Sequence, residues 1–450
     1  MTPIIGPGRS GTSAPVSPDS DPTAGLRLRR VERNEVIRIP ARLENLLAEG
    51  HLARLVWGVV RQLDLTAFYK EIAVTVDRPG RPAIDPLILI ALWVYALSQG
   101  EMEARKVGRL CVEHLAYIWL CGGVAMNYHT LSDFRVKHEV ELEGLLTQVV
   151  QCLDEAGCVG WEVQAQDGMR VRASAGAASF HREPTLKKAL VEAQAEVAEL
   201  ENPTKPNEET VTLREQAARE RAANERVERL EAALEEMPAM QATKEASKKG
   251  EARVSSTDPE ARVMKMADGG FRPAFNWEFA TDAAKLVIMG VDVVNEGSDK
   301  GQMDPMLQKI RERYGRLPKK WAVDGGFVKL TALETWGASV EILAPLPKPK
   351  DETRDPHQPL PKDTPEVAAW RERMGTDAAK KTYKLRAATA ECVNAQARTR
   401  EGVQQSGVRG KAKNRCLALW VAITHNLLIW IRDLVTIPRA QPEAKMVSVA

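Results

Sequence analysis

The chain has 450 residues, room for two or three domains, with 44% hydrophobic residues, 28% charged residues and a formal net charge of +2. That near-neutral balance excludes a uniformly basic nucleic-acid coat, so any nucleic-acid surface must be local. One such stretch is Lys381 to Arg415, with nine Lys or Arg against two Glu. The six cysteines form no C-x-x-C pair, which excludes the common zinc and thioredoxin-like spacings and predicts free thiols in a reducing compartment. No G-x-x-x-x-G-K-[ST] is present, so nothing supports an ATP-driven mechanism.

Residues 1–30 are Pro/Gly/Ser-rich without the apolar segment of a signal peptide, and they read as a disordered tail. Residues 31–155 read as an all-helical region. Asp85-Pro86 starts the run PLILIALWVYAL, apolar on all sides and too short to span a bilayer, so it is expected to be a buried core helix. A cytoplasmic, nucleoid-associated protein is expected. In EMEARKVGRLCVEHLAYIWL, Arg105 and Arg109 stand one turn apart on a shared face. In NYHTLSDFRVKH, Thr130 or Ser132 can cap a short helix carrying Arg135 and Lys137. Short helices, a Gly-containing turn and exposed basic residues suit a helix-turn-helix-like DNA contact.

Residues 156–436 carry alternating strand and helix patterns. In WEVQAQDGMRVRA, Trp161, Val163 and Ala165 alternate with polar residues, and the next position on the apolar face is Asp167. A carboxylate there needs compensation: either Asp-Gly is a turn closing the strand, or the strand end holds a cation. Residues 181–250 interrupt the pattern. Leu186, Leu190, Ala193, Val197 and Leu200 form a heptad seam, NPTKPN breaks it, and Ala223, Val227, Leu230, Leu234 and Met237 resume it. This predicts an inserted antiparallel helical hairpin, with KEASKKGEARVSS as a flexible return. FRPAFNWEFATD and KLVIMGVDVVN then read as paired strands, MDPMLQKIRERYG as a helix, KKWAVDGGF as a strand ending at Asp324, and VEILAPLP as another strand. A Pro-rich loop precedes a long helical segment, Pro365 to Arg400, broken at Gly375. CLALWVAITHNLLIWIRDLV is a buried last helix, and residues 437–450 a flexible tail.

Several polar residues have structural readings. Asp268-Gly269-Gly270 reads as a turn, Asp282 as a hairpin residue, Asp292 as solvent-facing and His425 as a core histidine. Trp277, Trp321 and Trp420 read as core.

The element order is strand with Asp, two strands, helix, strand with Asp, helix, strand, then a helix with Glu. This is the ribonuclease H-like order, an α/β fold with a mixed sheet flanked by helices, in which the first and fourth strands lie side by side. Two carboxylates meeting there would repel unless a divalent cation sat between them. Glu391, with Lys384 and Arg398 seven residues to either side, offers a third.

The stretches IDPLILIALWVYALSQG, WLCGG, NYHTLSDFRVKH, AQDGMRVRASAG, TDPEARVMKMADGGFRPAFN, AVDGGF and YKLRAATAECVNAQAR resemble, as a set, a bacterial insertion-sequence transposase of the DDE type, in the branch with an all-helical N-terminal region. The resemblance implies Asp167, Asp324 and Glu391 as the catalytic, metal-holding carboxylates. The Y-x-x-R…E…K signature becomes Tyr383, Arg386, Glu391 and Arg398. It has one extra residue before the Glu and Arg in place of Lys, so Glu401 is the alternative third carboxylate. Two Mg²⁺ ions, or Mn²⁺, are implied, with Asp167 bridging them. Lys384, Arg386 and Arg398 would steady phosphates and Tyr383 would touch the DNA backbone. Arg105, Arg109, Arg135 and Lys137 would grip terminal inverted repeats. The implied partners are double-stranded DNA, at element ends and target, and further copies of the chain on DNA. Two rival readings are a nuclease on the same fold that does not join strands, and a non-catalytic DNA-binding protein that dimerises through the 186–237 hairpin.

Overall fold

A computed structural model describes residues 42–70, 72, 82–201, 212–349 and 353–435. The expected tails at 1–30 and 437–450 and the NPTKPN turn lie outside the described residues.

The N-terminal part is helical: α1 (Leu52–Val60), α2 (Thr66–Tyr69), α3 (Pro86–Ser98), α4 (Ala104–Glu113), α5 (Leu115–Cys121), α6 (Tyr128–Lys137) and α7 (Glu139–Glu155). Asp85 caps α3 by accepting from the Leu87 N–H at 2.9 Å, with Pro86 in the first turn, and ten residues of the helix are buried. Helix α6 starts earlier than expected. Its cap is Asn127, which accepts from the His129 N–H at 2.9 Å, so Thr130 and Ser132 fall inside the helix.

The strands are β1 (Val163–Arg172), β2 (Phe180–His181), β3 (Val254–Ser255), β4 (Arg262–Lys265), β5 (Phe271–Asp282), β6 (Ile288–Val294), β7 (Lys320–Ala322) and β8 (Glu341–Leu343). One mixed sheet has the order β4-β5-β1-β7-β8, with β6 also on β5. Strands β5 and β6 pair antiparallel, as their patterns predict. Strand β1 runs antiparallel to β5 and parallel to β7, so the two Asp-bearing strands are neighbours. Asp282 is buried and structural: it accepts the backbone N–H groups of Gly160, Trp161 and Ala284 at 3.0, 2.9 and 2.9 Å. This pins the entry to β1, where Trp161 holds a φ of 57°.

Between β2 and β3 stand α8 (Glu183–Glu201), α9 (Leu213–Glu235) and the short α10 (Met237–Ala242). Helices α8 and α9 pack on each other around Leu186, Ala193, Leu230 and Ala233, a cluster separate from the main core. The return, expected to be a flexible link, has regular structure. It forms a 3₁₀ turn, Ala246–Glu251, then β3, and Ala252 and Val254 are buried in the hairpin's own cluster.

Helices α11 (Met303–Tyr314) and α12 (Leu330–Trp336) precede and follow β7. The long C-terminal segment divides into α13 (Pro365–Gly375), α14 (Asp377–Tyr383), a π-helical turn (Ala387–Glu391) and α15 (Cys392–Thr399), followed by α16 (Lys411–Trp430). The break after Gly375 falls where expected, and Thr376 caps α14. Helix α16 and its extension to Val435 are long and apolar enough to cross a membrane by composition, yet 67% of that window is buried in the fold. Its Asn426 side chain bonds both the N–H and the carbonyl of Ile288 at 2.9 Å. The His425 ring approaches the Leu286 carbonyl at 2.9 Å, and the Trp420 indole donates to the Arg135 carbonyl at 3.1 Å. Trp277, Trp321, Trp420 and His425 are all buried, as expected of core residues. A single apolar core runs from α1 through the sheet to α16.

Candidate active site

Strand β1 does not end at Asp167. It continues to Arg172 because β5 pairs with it along its whole length, from Gln164↔Asp282 to Arg172↔Ala274. The expectation of an Asp-Gly turn is therefore corrected. The pairing with β7 does stop, at Ala165↔Ala322, and Asp167 and Asp324 each follow that last pair by two residues. Asp324 is exposed and caps a 3₁₀ turn, accepting from the Gly325 N–H at 2.6 Å. Gly168 is demanded by proximity. A Cβ there would lie 2.7 Å from Asn276 Oδ1 and Asp299 Oδ1 and 2.8 Å from Glu278 Oε1.

The third segment arrives through the π turn. Arg386 Nη1 donates to Glu391 Oε1 at 2.9 Å, and Arg386 Nη2 donates to Asp167 Oδ1 at 3.2 Å. Asn394 Nδ2 donates to the other oxygen, Asp167 Oδ2, at 3.2 Å. Burial raises the Asp167 carboxyl above its ordinary range; Arg386 and the Gly168 N–H oppose this, while the charges of Asp299 and Glu391 add to it. Burial pulls the Arg386 guanidinium down, but Asp167, then Tyr383, Asp324 and Glu391, outweigh it and leave it above its ordinary value. Burial raises Tyr383, Arg386 opposes, and Asp324, Asp167 and Glu391 raise it further. Tyr383 and Arg386 thus feel all three carboxylates. Glu401, the alternative, is buried beside Arg400, which reaches it at 2.6 Å.

Among the described residues no three Asp, Glu, His or Cys side chains converge closely enough to hold an ion as they stand. A guanidinium lies between Asp167 and Glu391 instead. The donors are carboxylate oxygens throughout, which suits a hard divalent cation rather than a thiolate- or imidazole-seeking metal. The residues fit such an ion in kind, and its entry would move Arg386 off one or both carboxylates.

Beneath β1 lies a polar network that sequence reading missed. Asn276 Nδ2 donates to Glu278 Oε1 at 2.7 Å and to Asp299 Oδ1 at 2.6 Å, and Gln166 Nε2 donates to Glu278 Oε2 at 3.2 Å. Burial, then the charge of Asp299, pushes Glu278 well above the usual carboxylate range. The signal was present as the alternation of Asn276 and Glu278 with Trp277 and Phe279, but a polar strand face usually meets water. Asn394 was missed because an amide on a helix carries no motif.

Two family models match the chain. One, described as Transposase domain (DUF772), matches residues 41–137; the other, described as Transposase DDE domain, matches residues 355–429. The two matches support an insertion-sequence DDE transposase. No curated protein and no solved structure matches it. The DDE-domain match contains Tyr383, Arg386, Glu391 and Arg398, whereas Asp167 and Asp324 lie between the two matched segments. Enzymes of this family process nucleic acid, bind DNA and generally use divalent metal ions.

The other basic residues of this transposase divide. Arg105 is exposed with its guanidinium 5.2 Å from the Tyr128 ring centre, Arg109 is exposed, and Lys137 is exposed beside Asp133 at 3.5 Å. Arg135 is 6% exposed. It donates to the Met102 carbonyl, lies 5.0 Å from the Trp93 ring centre, and burial pulls it down to about 10. It is a core residue and cannot reach a phosphate, which corrects the expectation for it. Lys384 is exposed at the end of α14. Arg398 keeps the face of Glu391, two turns further along α15, whereas the π turn between Lys384 and Glu391 takes Lys384 off that face. Arg398 lines a separate cavity with Arg170, Arg172 and Arg272. Asp268 makes the expected turn, accepting from Gly270 N at 3.0 Å. Asp292 is not simply solvent-facing, since it pairs with Lys309 at 3.2 Å.

Proposed function

We propose that this transposase binds the terminal inverted repeats of its element, cleaves the element ends and joins the resulting 3′-hydroxyls to target DNA, with Asp167, Asp324 and Glu391 as its catalytic carboxylates. The observation that carries the reading is Arg386, whose one guanidinium bonds Asp167 from β1 and Glu391 from the C-terminal helices while lying in the field of Asp324. Carboxylates from three distant segments facing one guanidinium make sense as a cation-holding set. The strand order β6-β5-β1-β7-β8 supports a ribonuclease H-like reading of residues 156–436.

Asp167, Asp324 and Glu391 would hold two Mg²⁺ or Mn²⁺ ions, which when bound activate the attacking oxygen and stabilise the leaving one. Asn394 orients the Asp167 carboxylate by holding Oδ2. Arg386, once released from a carboxylate, is placed to bind a non-bridging phosphate oxygen, and Lys384 and Tyr383 stand nearby for the backbone. Arg105, Arg109 and Lys137 on the helical region would grip the repeats. Residues 31–155 are read as the repeat-binding region and the 181–250 hairpin as a surface for assembling ends within a dimer or larger oligomer.

The test is incubation of the full chain with duplexes bearing the inverted repeats that flank its gene. Nicking at the element end and strand-transfer product are expected in Mg²⁺ or Mn²⁺, with little in Ca²⁺ and none with excess chelator. Nicking without joined product would favour the nuclease reading. Repeat binding without any nicking would favour the non-catalytic one.

A further inference from the structure

A second cluster of cations lies beyond the carboxylates on the same strand. Arg170 and Arg172 on β1, Arg272 on β5 and Arg398 on α15 line one open cavity of about 270 Å³, flanked by the 266–268 turn and by Val403 and Gln404. Two of the four are neutralised: Arg170 bonds Asp299 at 3.0 Å, and Arg272 bonds Asp268 at 2.7 Å. Arg172 and Arg398 have no carboxylate partner among the described residues, so the cavity keeps an excess of two positive charges. Like charges do not gather in this way without cost, and an anion in the cavity would offset it.

The walls are built rather than incidental. Beyond Ala165 the β7-side edge of β1 has no strand partner, and the chain after α15 takes its place there. Arg172 bridges Gln405, the Ser406 N–H donates to the Arg172 carbonyl at 2.7 Å, and Gln405 Nε2 donates to the Ala173 carbonyl at 3.3 Å. The opposite wall is the turn closed by the Met266 N–H to the Gly270 carbonyl at 2.7 Å. Guanidinium forks match phosphate oxygens in geometry as well as charge.

We propose that this four-arginine groove binds a phosphodiester of the DNA backbone away from the cleaved bond. The inference rests on the proposed function for its DNA substrate. Arg170 and Arg172 follow Asp167 by three and five residues in an unbroken register with β5, so their side chains leave the opposite face of β1, Arg172 about 17 Å further along it at about 3.3 Å per residue.

The experiment compares the full-length wild type with Arg172→Gln/Arg398→Gln and with Arg172→Lys/Arg398→Lys. Neither side chain carries a structural ion pair, so melting temperatures should agree, and the Lys pair controls for charge. Affinity for the element-end duplex is measured across a salt series. The Gln pair is expected to lower the magnitude of the log–log salt slope by about one and the Lys pair to preserve it. Ethylation interference is expected at a phosphate other than the cleaved one, and only in the wild type. Wild-type repeat binding with slope and interference unchanged in the Gln pair overturns the proposal. Inorganic phosphate, titrated by ³¹P line broadening, separates the sources: broadening lost in the Gln pair with DNA slopes unchanged would make this a free-phosphate site and refute the DNA assignment. A wild type that binds no end duplex overturns the proposed function itself, and the DNA assignment with it.

Discussion

Replacing Arg386 with Met removes the cation that bonds both Asp167 and Glu391 and so tests whether that guanidinium stands where a metal ion would. The side chains of Arg386 and Asp167 are 12% and 19% exposed, while Glu391 is 57% exposed. A sheltered hydrogen bond to a charged group contributes about 1.5–3 kcal/mol. An exposed ion pair contributes about 0–1 kcal/mol. The Asp167 contact therefore dominates, and Arg386→Met should cost about 2–3 kcal/mol in chelator, a drop of a few degrees in Tm. Added Mg²⁺ should stabilise the two proteins unequally. In the wild type it competes with the guanidinium; in the variant it meets carboxylates with no cation between them. A ligand at a hundred times its Kd stabilises by about 2.7 kcal/mol, enough to close most of the gap. Thermal melts in EDTA, Mg²⁺ and Ca²⁺ should therefore give a larger metal-induced shift for Arg386→Met than for wild type, and none for Asp167→Asn/Arg386→Met. Equal shifts in wild type and Arg386→Met, or no shift in either, would refute the idea that arginine and metal share one position.

Asp167→Asn, Asp324→Asn and Glu391→Gln should each abolish end cleavage in a nicking assay while keeping gel-shift affinity within a few fold, because DNA affinity comes mainly from cations. Loss of cleavage in Glu401→Gln together with normal cleavage in Glu391→Gln would make Glu401 the third carboxylate. Asp258 is buried, accepts from the Gly410 N–H at 3.1 Å, and is raised to about 6, chiefly by burial, from 3.8. The folded chain then binds more protons than the unfolded one between those values, so stability falls as pH rises through that window. By linkage the loss is about 3 kcal/mol at pH 7. Asp258→Asn should therefore melt higher than wild type at pH 7 and equally at pH 3.5. Replacing residues 183–237 with a Gly/Ser link should lower Tm only modestly, because the hairpin's apolar cluster is separate from the main core. It should impair paired-end complexes on a native gel, and a variant that assembles as well as wild type would assign the hairpin another role.

The parts of the fold that were legible share one property: their local pattern and their tertiary role agree. Helix α3 carries its Asp cap, Pro and all-round apolar surface in sequence because it is a core helix on every side. The hairpin's seam could be read because it packs mainly on itself. Arg135 was misread because a basic residue on a short helix looks solvated, and only the surrounding fold brings Trp93 and the Met102 carbonyl to it. Residues Ala246–Glu251 were misread for a similar reason. A Lys-rich stretch looks loose until Ala252 and Val254 anchor its end.

At the site, the two Asp positions followed from strand order, but the strand end assumed for Asp167 did not. What ends after Ala165 is one partner strand, not β1, and a sequence does not show how far a neighbour extends. The extra residue between Arg386 and Glu391 is where local pattern and geometry diverge most usefully. Read as a continuous α-helix, the spacing of five puts the two side chains off register and weakens Glu391 as a candidate. The chain takes up the extra residue as a π turn, Ala387–Glu391, in which residues five apart become neighbours, and the 2.9 Å contact follows. Arg398, seven residues after Glu391 on the regular turns of α15, lies at the cavity beside Arg170 and Arg172. The inserted residue thus sets the contact of Arg386 with Glu391, while the α-helical turns after it carry Arg398 on towards the cavity lined by Arg170 and Arg172.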